Sequence, residues 1–249
     1  MEQIYTIPVN EAFEDAAKPE TQCRCPFCLM YNRLEANELD LILGASMMEP
    51  DVRLKTNEQG FCDTHYGLMF ERSKRLPLAL MLESHLDSLA KELTVGGMFP
   101  AKAAEAAGKR LDKLDHECYV CGRIEYNFTR MVETAALLWQ SDSAFHEKVK
   151  KVEYFCLPHY GMFIRAAKER LSKKDFIQFY GEIAEVENRY FDTLREDVSW
   201  FCKKFDYRYT EEPWGNAKDA PERARAFLSG TLHVQEQEDP TKKNSGGLT

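Results

Sequence analysis

A cysteine and histidine pattern that occurs twice constrains this chain more than any other feature of its sequence. Each copy has a Cys-x₂-Cys pair and, after a gap of 33 or 34 residues, a Cys-x₂-His pair. The first pairs of the two copies are offset by 93 positions, and the second pairs, each preceded by Phe and followed by Tyr-Gly, are offset by 94. So many positions in register indicate an internal duplication, which predicts two related modules.

The residues of this pattern are typical metal ligands. Two residues that are three positions apart share one face of a helical turn, so a single ion can contact both. Three thiolates and one imidazole match a closed tetrahedral Zn²⁺ site. We therefore predict two Zn²⁺ ions, with an iron–sulfur cluster as the less favoured alternative. The predicted ligands are Cys25, Cys28, Cys62 and His65 in the first copy, and Cys118, Cys121, Cys156 and His159 in the second.

Two further questions about these sites stay open in the sequence. The nearly equal offsets favour a self-contained site in each copy, but exchange of ligands between copies is the alternative. Cys23 and His116 occupy equivalent positions two residues before the first ligand of each copy. They are candidates for a fifth ligand or for a side chain that contacts a ligand, and a redox-responsive exchange at Cys23 is the sharper interpretation.

The sequence between and after these pairs has the periodicity of helices. Apolar residues recur at steps of three or four from Ile124 to Trp139 and, over about seven turns, from Phe176 to Phe201. A third apolar series comprises Leu82, Leu86, Leu89 and Leu93. Cys62 and Cys156 are predicted at helix N-termini, where the helix dipole favours thiolate. We predict an all-α fold of two pseudo-repeated helical modules, each with a Cys₃His site, packed as a bundle-like domain.

The predicted organisation has six segments. They are an N-terminal segment (1–20), a first repeat (21–96), a connecting helix (97–115), a second repeat (116–206), a C-terminal loop and helix (207–234) and a disordered tail (235–249). Gly96, Gly97 and Pro100 mark the break between the copies. In the C-terminal segment we predict that Asp219 is the N-cap of a short helix. The polar and aromatic residues near Trp214 could line a pocket.

Charge and composition limit the classes of partner and the compartment. The chain of 249 residues has 33 basic and 41 acidic residues, a net charge of −8, which opposes non-specific binding to nucleic acid or anionic lipid. No apolar segment is long enough to span a bilayer, and the first residues do not read as a signal peptide. We therefore expect a cytoplasmic protein whose eight cysteines are thiols or metal ligands. The two alternatives for a partner are a protein and a small molecule bound near the C-terminal segment.

Catalytic motifs are missing from the sequence, which favours a non-enzymatic protein. There is no Gly-x-Ser-x-Gly elbow, phosphate-binding loop or His-Glu-x-x-His helix. Glu182, Glu185 and Glu187 are interpreted as a solvent face, and His85 and His146 as hydrogen-bonded rather than ligating. We predict a metal-binding scaffold or binding module with structural zinc. The alternative is a redox- or metal-responsive protein or enzyme that uses the thiolates or an iron–sulfur centre.

The motifs together resemble an uncharacterised bacterial family of unknown function. The resemblance extends from Cys23 to Gly230 and rests on the early Cys-Pro-Phe-Cys, the two Phe-Cys-x-x-His-Tyr-Gly blocks, Phe205-Asp206-Tyr207-Arg208 and Trp214-Gly215-Asn216-Ala217-Lys218-Asp219-Ala220. Some members carry a label of ABC transporter substrate-binding protein. That label fits poorly, since such proteins are exported or anchored and no export signal is visible. The resemblance implies no activity, substrate or catalytic residue.

Overall fold

The computed structural model describes residues 3–21, 23–93 and 100–234 of the chain. Within these ranges all regular structure is helical and no strand occurs, so the predicted all-α class is confirmed. Gly96, Gly97 and the tail 235–249 lie outside the described residues. The α-helices are α1 Thr6–Ala16, α2 Pro26–Ile42, α3 Pro50–Gln59, α4 Asp63–Glu71, α5 Arg75–Leu93, α6 Pro100–His116, α7 Tyr119–Ser141, α8 Ser143–Lys151, α9 Leu157–Arg170, α10 Lys173–Lys203 and α11 Ala220–Ser229.

Four of these helices begin at the cysteine and histidine pairs. Helices α4 and α9 have Cys62 and Cys156 as their N-caps, as predicted. Helices α2 and α7 begin directly after Cys25 and Cys118, whose carbonyl groups accept the first helical hydrogen bonds. The other member of each pair then lies in the first turn. Because positions three apart share a face of a helix, each pair points two ligand atoms in one direction.

The described chain divides into two compact units. Unit 1 comprises Met1–Asn32 and Met131–Thr249, and unit 2 comprises Arg33–Arg130. The divisions fall inside α2 and α7, between the halves of each sequence repeat. Each unit therefore contains parts of both repeats.

Unit 1 has a core of phenylalanine side chains. Their ring centroids lie 4.7–6.2 Å apart, mostly in tilted or edge-on arrangements that suit aromatic quadrupoles. Each of these rings is almost completely buried, so the cluster contributes much of the hydrophobic stabilisation of the unit. The cluster comprises Phe13, Phe27, Phe145, Phe155, Phe163 and Phe179.

The long helix α10 packs in unit 1 with one stripe of its own side chains buried. Ser172 caps its N-terminus by accepting a hydrogen bond from the Asp175 amide. Apolar residues of the predicted series are buried along it. The prediction that its acidic face is exposed to solvent holds only in part. Glu187 is 5% exposed and accepts a hydrogen bond from the Phe155 amide at 3.1 Å. Glu182 is also half-buried; it accepts hydrogen bonds from Trp139 and Gln178 and contacts His146.

Unit 2 differs from the sequence interpretation in the face that α5 buries. Leu86 is 62% exposed, whereas His85 is buried and its Nδ1 lies 2.9 Å from the carbonyl oxygen of Asn57 in α3. The buried stripe of α5 is Leu78, Met81 and His85, one residue away from the predicted leucine series. On this face a histidine that hydrogen-bonds to a backbone carbonyl occupies a buried position where an apolar residue is usual. The periodicity of apolar residues alone therefore does not identify the buried face.

The C-terminal segment of unit 1 is organised by a buried lysine. Lys204 is 8% exposed, and its ammonium group donates hydrogen bonds to the carbonyl oxygens of Tyr209, Thr210 and Glu212. These bonds fold the loop before α11. Asp219 is the N-cap of α11 as predicted, but its carboxylate pairs with Arg223 rather than capping the helix.

No helix in the described ranges is both long enough and apolar enough to cross a membrane.

Candidate metal centres

The eight predicted ligands converge into two groups of four. Group A is Cys25, Cys28, Cys156 and His159, and group B is Cys62, His65, Cys118 and Cys121. Within each group, one ligand atom from every residue lies within 4.8 Å of all the others. Each group lies wholly within one unit, group A in unit 1 and group B in unit 2.

Group A is completely buried. The Nδ1 atom of His159 lies 3.1 Å from the Cys156 sulfur, 3.4 Å from that of Cys28 and 3.8 Å from that of Cys25. The sulfurs of Cys28 and Cys156 are 3.6 Å apart. The ring of Phe27 packs beside His159 at a centroid distance of 6.1 Å, so the aromatic core of unit 1 adjoins the group.

Group B has the same arrangement with more access to solvent. The Nδ1 atom of His65 lies 3.1 Å from the Cys62 sulfur and 3.4 Å from both Cys118 and Cys121. The Cys62 and Cys121 sulfurs are 3.8 Å apart. His65 and Cys118 are buried, whereas Cys62 is half-buried and Cys121 is exposed.

The structure corrects the expectation that each repeat holds its own site. Group A joins the first pair of the first repeat to the second pair of the second repeat, and group B joins the remaining two pairs. The pairs are therefore nested along the chain, with group B between the two halves of group A. The physical reason is that α2 faces α9 and α4 faces α7 at their N-termini, and sequence offsets identify equivalent residues without showing which helices pack together.

Two helix N-termini meet at each group, and this placement suits negatively charged ligands. Unsatisfied backbone N–H groups and the helix dipole give each N-terminus a partial positive charge. Three thiolates around a divalent ion leave one net negative charge, which the two helix ends of each group oppose. The local sequence supports this arrangement, since Pro26 and Pro158 occupy first-turn positions where a missing N–H costs nothing.

Hydrogen bonds within the groups concentrate negative charge on equivalent cysteines. The bond with Cys121 lowers the pKa of the Cys118 thiol to about 3, against the opposing effect of burial. Burial raises the pKa of Cys25, but bonds with Cys156, Cys28 and His159 hold it well below its ordinary value. The same contacts raise the pKa values of Cys28 and Cys121. Each group thus favours a thiolate, the ligand form that metals bind.

A buried glutamate supports the histidine of group B. Glu35 in α2 is fully buried, and its Oε1 atom lies 3.2 Å from the Nε2 atom of His65. Burial lowers the pKa of His65, but its bonds with Cys118 and Glu35 outweigh that effect and raise it to about 10. A carboxylate on the distal nitrogen fixes the tautomer that presents Nδ1 to a metal.

A backbone segment closes group A. The Thr231 amide donates a hydrogen bond to the Cys28 sulfur at 3.4 Å, and its carbonyl oxygen accepts one from Asn32 at 2.9 Å. Gly230, with φ of 81° and ψ of 176°, adopts a conformation that is confined almost entirely to glycine. A Cβ atom there would lie 3.3 Å from the Cys156 sulfur and 3.4 Å from that of Cys28. The absence of a side chain therefore lets the backbone reach the thiolates.

A second glycine positions group B. Gly60 has φ of 60° and ψ of −156°, and its carbonyl oxygen accepts a hydrogen bond from the Tyr119 amide at 3.0 Å. This bond joins the turn before Cys62 to the start of α7. A Cβ atom on Gly60 would lie 2.9 Å from Leu114 and 3.2 Å from His85. Both groups are thus held by a glycine in a conformation that other residues rarely adopt.

Neither candidate for a fifth ligand joins a group. Cys23 is buried next to group A, and its thiol donates to the Cys25 carbonyl oxygen at 3.6 Å. His116 ends α6, and its Nδ1 lies 2.8 Å from the Asp112 carbonyl oxygen of its own helix. Cys23 therefore contacts a ligand residue, whereas His116 is engaged by its own helix.

The residues that surround the ligands were not predicted from the sequence. Glu35 lies four residues before Leu39 and seven before Ile42, so it falls on the buried stripe of α2, a signal that periodicity could have shown. Gly230 and Thr231 belong to no motif. Their approach to Cys28 spans about 200 positions of sequence, and no local pattern predicts it.

Comparison with known proteins assigns the chain to a family whose function is unknown. No curated protein and no solved structure matches it. One family model, described as a family of unknown function (DUF6062), matches residues 1–235 and so covers nearly the whole chain. That description names no transport activity. The chain, with its two Cys₃His groups, belongs to the family of unknown function DUF6062.

Proposed function

We propose that each group binds one Zn²⁺, that both ions are structural, and that the helical scaffold they hold is a non-enzymatic binding module. The observation that carries this proposal is the convergence of four ligand atoms, three sulfurs and one nitrogen, in both groups. All eight cysteines lie in the described part of the chain as free thiols, and thiols persist in a reducing compartment such as the cytoplasm, which we propose as the location.

The distances in both groups support a single ion. With Zn–S near 2.3 Å and Zn–N near 2.0 Å, a tetrahedron places two sulfurs about 3.8 Å apart and a sulfur and nitrogen about 3.6 Å apart. One sulfur–sulfur distance in each group, 3.6 Å between Cys28 and Cys156 and 3.8 Å between Cys62 and Cys121, agrees with these values. An iron–sulfur cluster would need its ligands spread around several irons, so its ligand atoms would lie farther apart.

A structural role follows from the coordination. Four protein ligands complete a tetrahedron and leave no position for water or substrate, which catalytic zinc requires. In each group the ion would join two helices that are far apart in sequence, by 128 residues between Cys28 and Cys156 and by 59 between Cys62 and Cys121. The free energy of metal binding would then become free energy of folding.

Metal content tests the proposal directly. Elemental mass spectrometry of untagged, anaerobically purified protein should find two zinc ions per chain, with no visible absorbance. Removal of zinc by a chelator should lower helicity and the melting temperature. Stoichiometric iron with sulfide, or a chelated protein that keeps its melting temperature, would contradict the proposal.

Double variants test the nested pairing. Cys25→Ser with Cys156→Ser affects only group A, so this variant should lose one zinc ion. Cys25→Ser with Cys62→Ser affects both groups and should lose two. Self-contained repeats would give the opposite result, since Cys25 and Cys62 would then share a site. Cys202→Ser, which changes an exposed cysteine outside both groups, is the matched control and should keep two ions.

A redox- or metal-responsive function is the second candidate, and the exposure of group B favours it. Cys121 is exposed and Cys62 is half-buried, so an oxidant could reach two ligands of one metal. This candidate requires that mild peroxide releases zinc from group B and that a reductant restores binding. Zinc that stays bound while exposed Cys202 is oxidised would exclude it.

A further inference from the structure

A cavity of about 690 Å³ lies in unit 1 beside the segment that leads to Cys156. It is bounded by the end of α8, the middle of α10 and the start of α11. This volume is within the usual range for small-molecule sites. Its walls include Lys151, Arg189, Tyr190, Asn216 and Arg223, so polar groups converge on it from three elements.

Three cations line this cavity, but only one of them is neutralised. Arg223 lies 2.8 Å from a carboxylate oxygen of Asp197 and 2.9 Å from one of Asp219, so it is paired with two acids. The cavity's remaining acid, Glu153, contacts Arg24 at 3.5 Å.

Lys151 and Arg189 have no such partner. Neither forms an ion pair or a side-chain hydrogen bond within residues 3–21, 23–93 and 100–234. Two cations without an ion-pair contact thus line one concave site, in a chain whose net charge is −8.

The lining of the cavity also offers hydrogen-bond donors. The ring of Tyr190 stacks on Tyr154 at 4.3 Å and packs against Phe227 at 5.3 Å, which holds its orientation. Burial raises the pKa of Tyr190 to about 12, so its hydroxyl stays protonated and can donate. Asn216 adds a side-chain amide to the lining.

We propose that this cavity binds a small organic anion through Lys151 and Arg189, with a carboxylate or phosphate as the recognised group. Guanidinium groups bind carboxylate and phosphate oxygens through two parallel hydrogen bonds, and the lysine ammonium adds a point charge. The neutralised Arg223 keeps the cavity wall in place and does not compete for the ligand. The remaining volume accommodates the body of the ligand against the side chains of Val152 and Tyr190.

The walls of the cavity are connected to group A. Val152 and Glu153 precede Cys156 by a few residues, and α11 begins at the cavity and ends at Gly230, against the group A sulfurs. The binding experiment is therefore done on the whole chain with its metal content measured. A variant that loses zinc is then distinguished from one that loses only the anion.

Calorimetric titration with inorganic phosphate and with succinate tests the proposal. At least one of these anions should bind at a single site with a Kd below about 10 mM. Lys151→Gln with Arg189→Gln should weaken that binding by about tenfold or more, since two charge-assisted hydrogen-bonding groups are lost. The matched control is Lys168→Gln with Lys174→Gln, which removes the same charge from exposed positions outside the cavity and should leave Kd unchanged.

The two anions also identify the recognised group, since tighter binding of phosphate or of succinate assigns it. Three results would overturn the proposal: neither anion binding saturably, both double variants weakening the binding equally, or the cavity variant binding as the wild type does. The cavity variants change exposed side chains, so zinc content and melting temperature should match those of the control.

Discussion

Groups A and B use the same ligands at the same kind of helix terminus, but solvent reaches them differently. In group A all four ligands are buried, and Gly230 and Thr231 cover the sulfurs. In group B the histidine has a buried carboxylate behind it, yet Cys121 is exposed. Coordination chemistry alone therefore does not fix how a site behaves. The packing around it decides whether the metal is permanently enclosed or exchangeable.

Substitution of the two special glycines should produce the largest difference between the groups. Gly230→Ala strains the backbone and crowds two thiolates, so we expect a loss of about 2–3 kcal/mol and of zinc from group A alone. Gly60→Ala should cost about 1–3 kcal/mol and weaken group B alone. Zinc content and thermal unfolding measure both effects.

Gly181→Ala is the control for these variants. Gly181 lies within α10 with open space around it, so alanine should stabilise the chain by about 0.5–1 kcal/mol. Equal zinc loss from both groups in either variant would show that the glycines act on the whole fold rather than on one group.

Thiol reactivity should separate the groups by about tenfold or more in rate, because exposed ligands are reached without local unfolding. Alkylation followed by peptide mass spectrometry should label Cys202 first, then Cys121 and Cys62, and the group A cysteines last. A chelator should remove the group B zinc ahead of the group A zinc. Simultaneous labelling of both groups would remove the distinction between them.

The carboxylate behind His65 should matter only to group B. Glu35→Gln replaces a charged acceptor with a neutral one, and we expect zinc affinity at group B to fall by about tenfold. Glu38→Gln is the matched control one turn away, since Glu38 is also buried but pairs with Arg123. Competition with a zinc indicator measures both affinities, and equal losses would show that general charge, not the contact, is responsible.

The smallest expected effect is a pH dependence from Glu187 near group A. Burial raises the pKa of this carboxyl to about 8, so the folded protein holds its proton where the unfolded chain has lost it. Its contribution to stability is therefore full below about pH 4.5 and is lost as the pH rises towards 8.

Glu187→Gln removes this titration. Between pH 7 and pH 8 the melting temperature of the variant should rise relative to wild type, by the equivalent of about 1 kcal/mol. Glu185→Gln changes an exposed neighbour, so the melting temperature of this variant should depend on pH in the same way as that of wild type. Parallel curves for all three proteins would mean that Glu187 is ionised throughout this range.

The sequence predicted the local features of this protein and missed its long-range ones. Helix periodicity predicted α7 and α10, and the duplicated pairs predicted all eight residues of the two groups. Both signals depend on residues that are close together in the sequence. The sequence did not predict which helices pack together at each group, since a duplication shows only which residues are equivalent. Glu187 was misassigned because its burial depends on the Phe155 amide, 32 residues away.

The nested order of the pairs has a consequence for synthesis on the ribosome. Chains emerge and begin to fold from the N-terminus. The first four ligands to emerge are Cys25, Cys28, Cys62 and His65, which form a complete Cys₃His set but belong to two different groups. Group B can close once Cys121 has emerged, whereas group A waits for His159 and its covering segment at Gly230. A nascent chain that binds zinc through these four residues must therefore exchange some of them for ligands that emerge later before groups A and B can form.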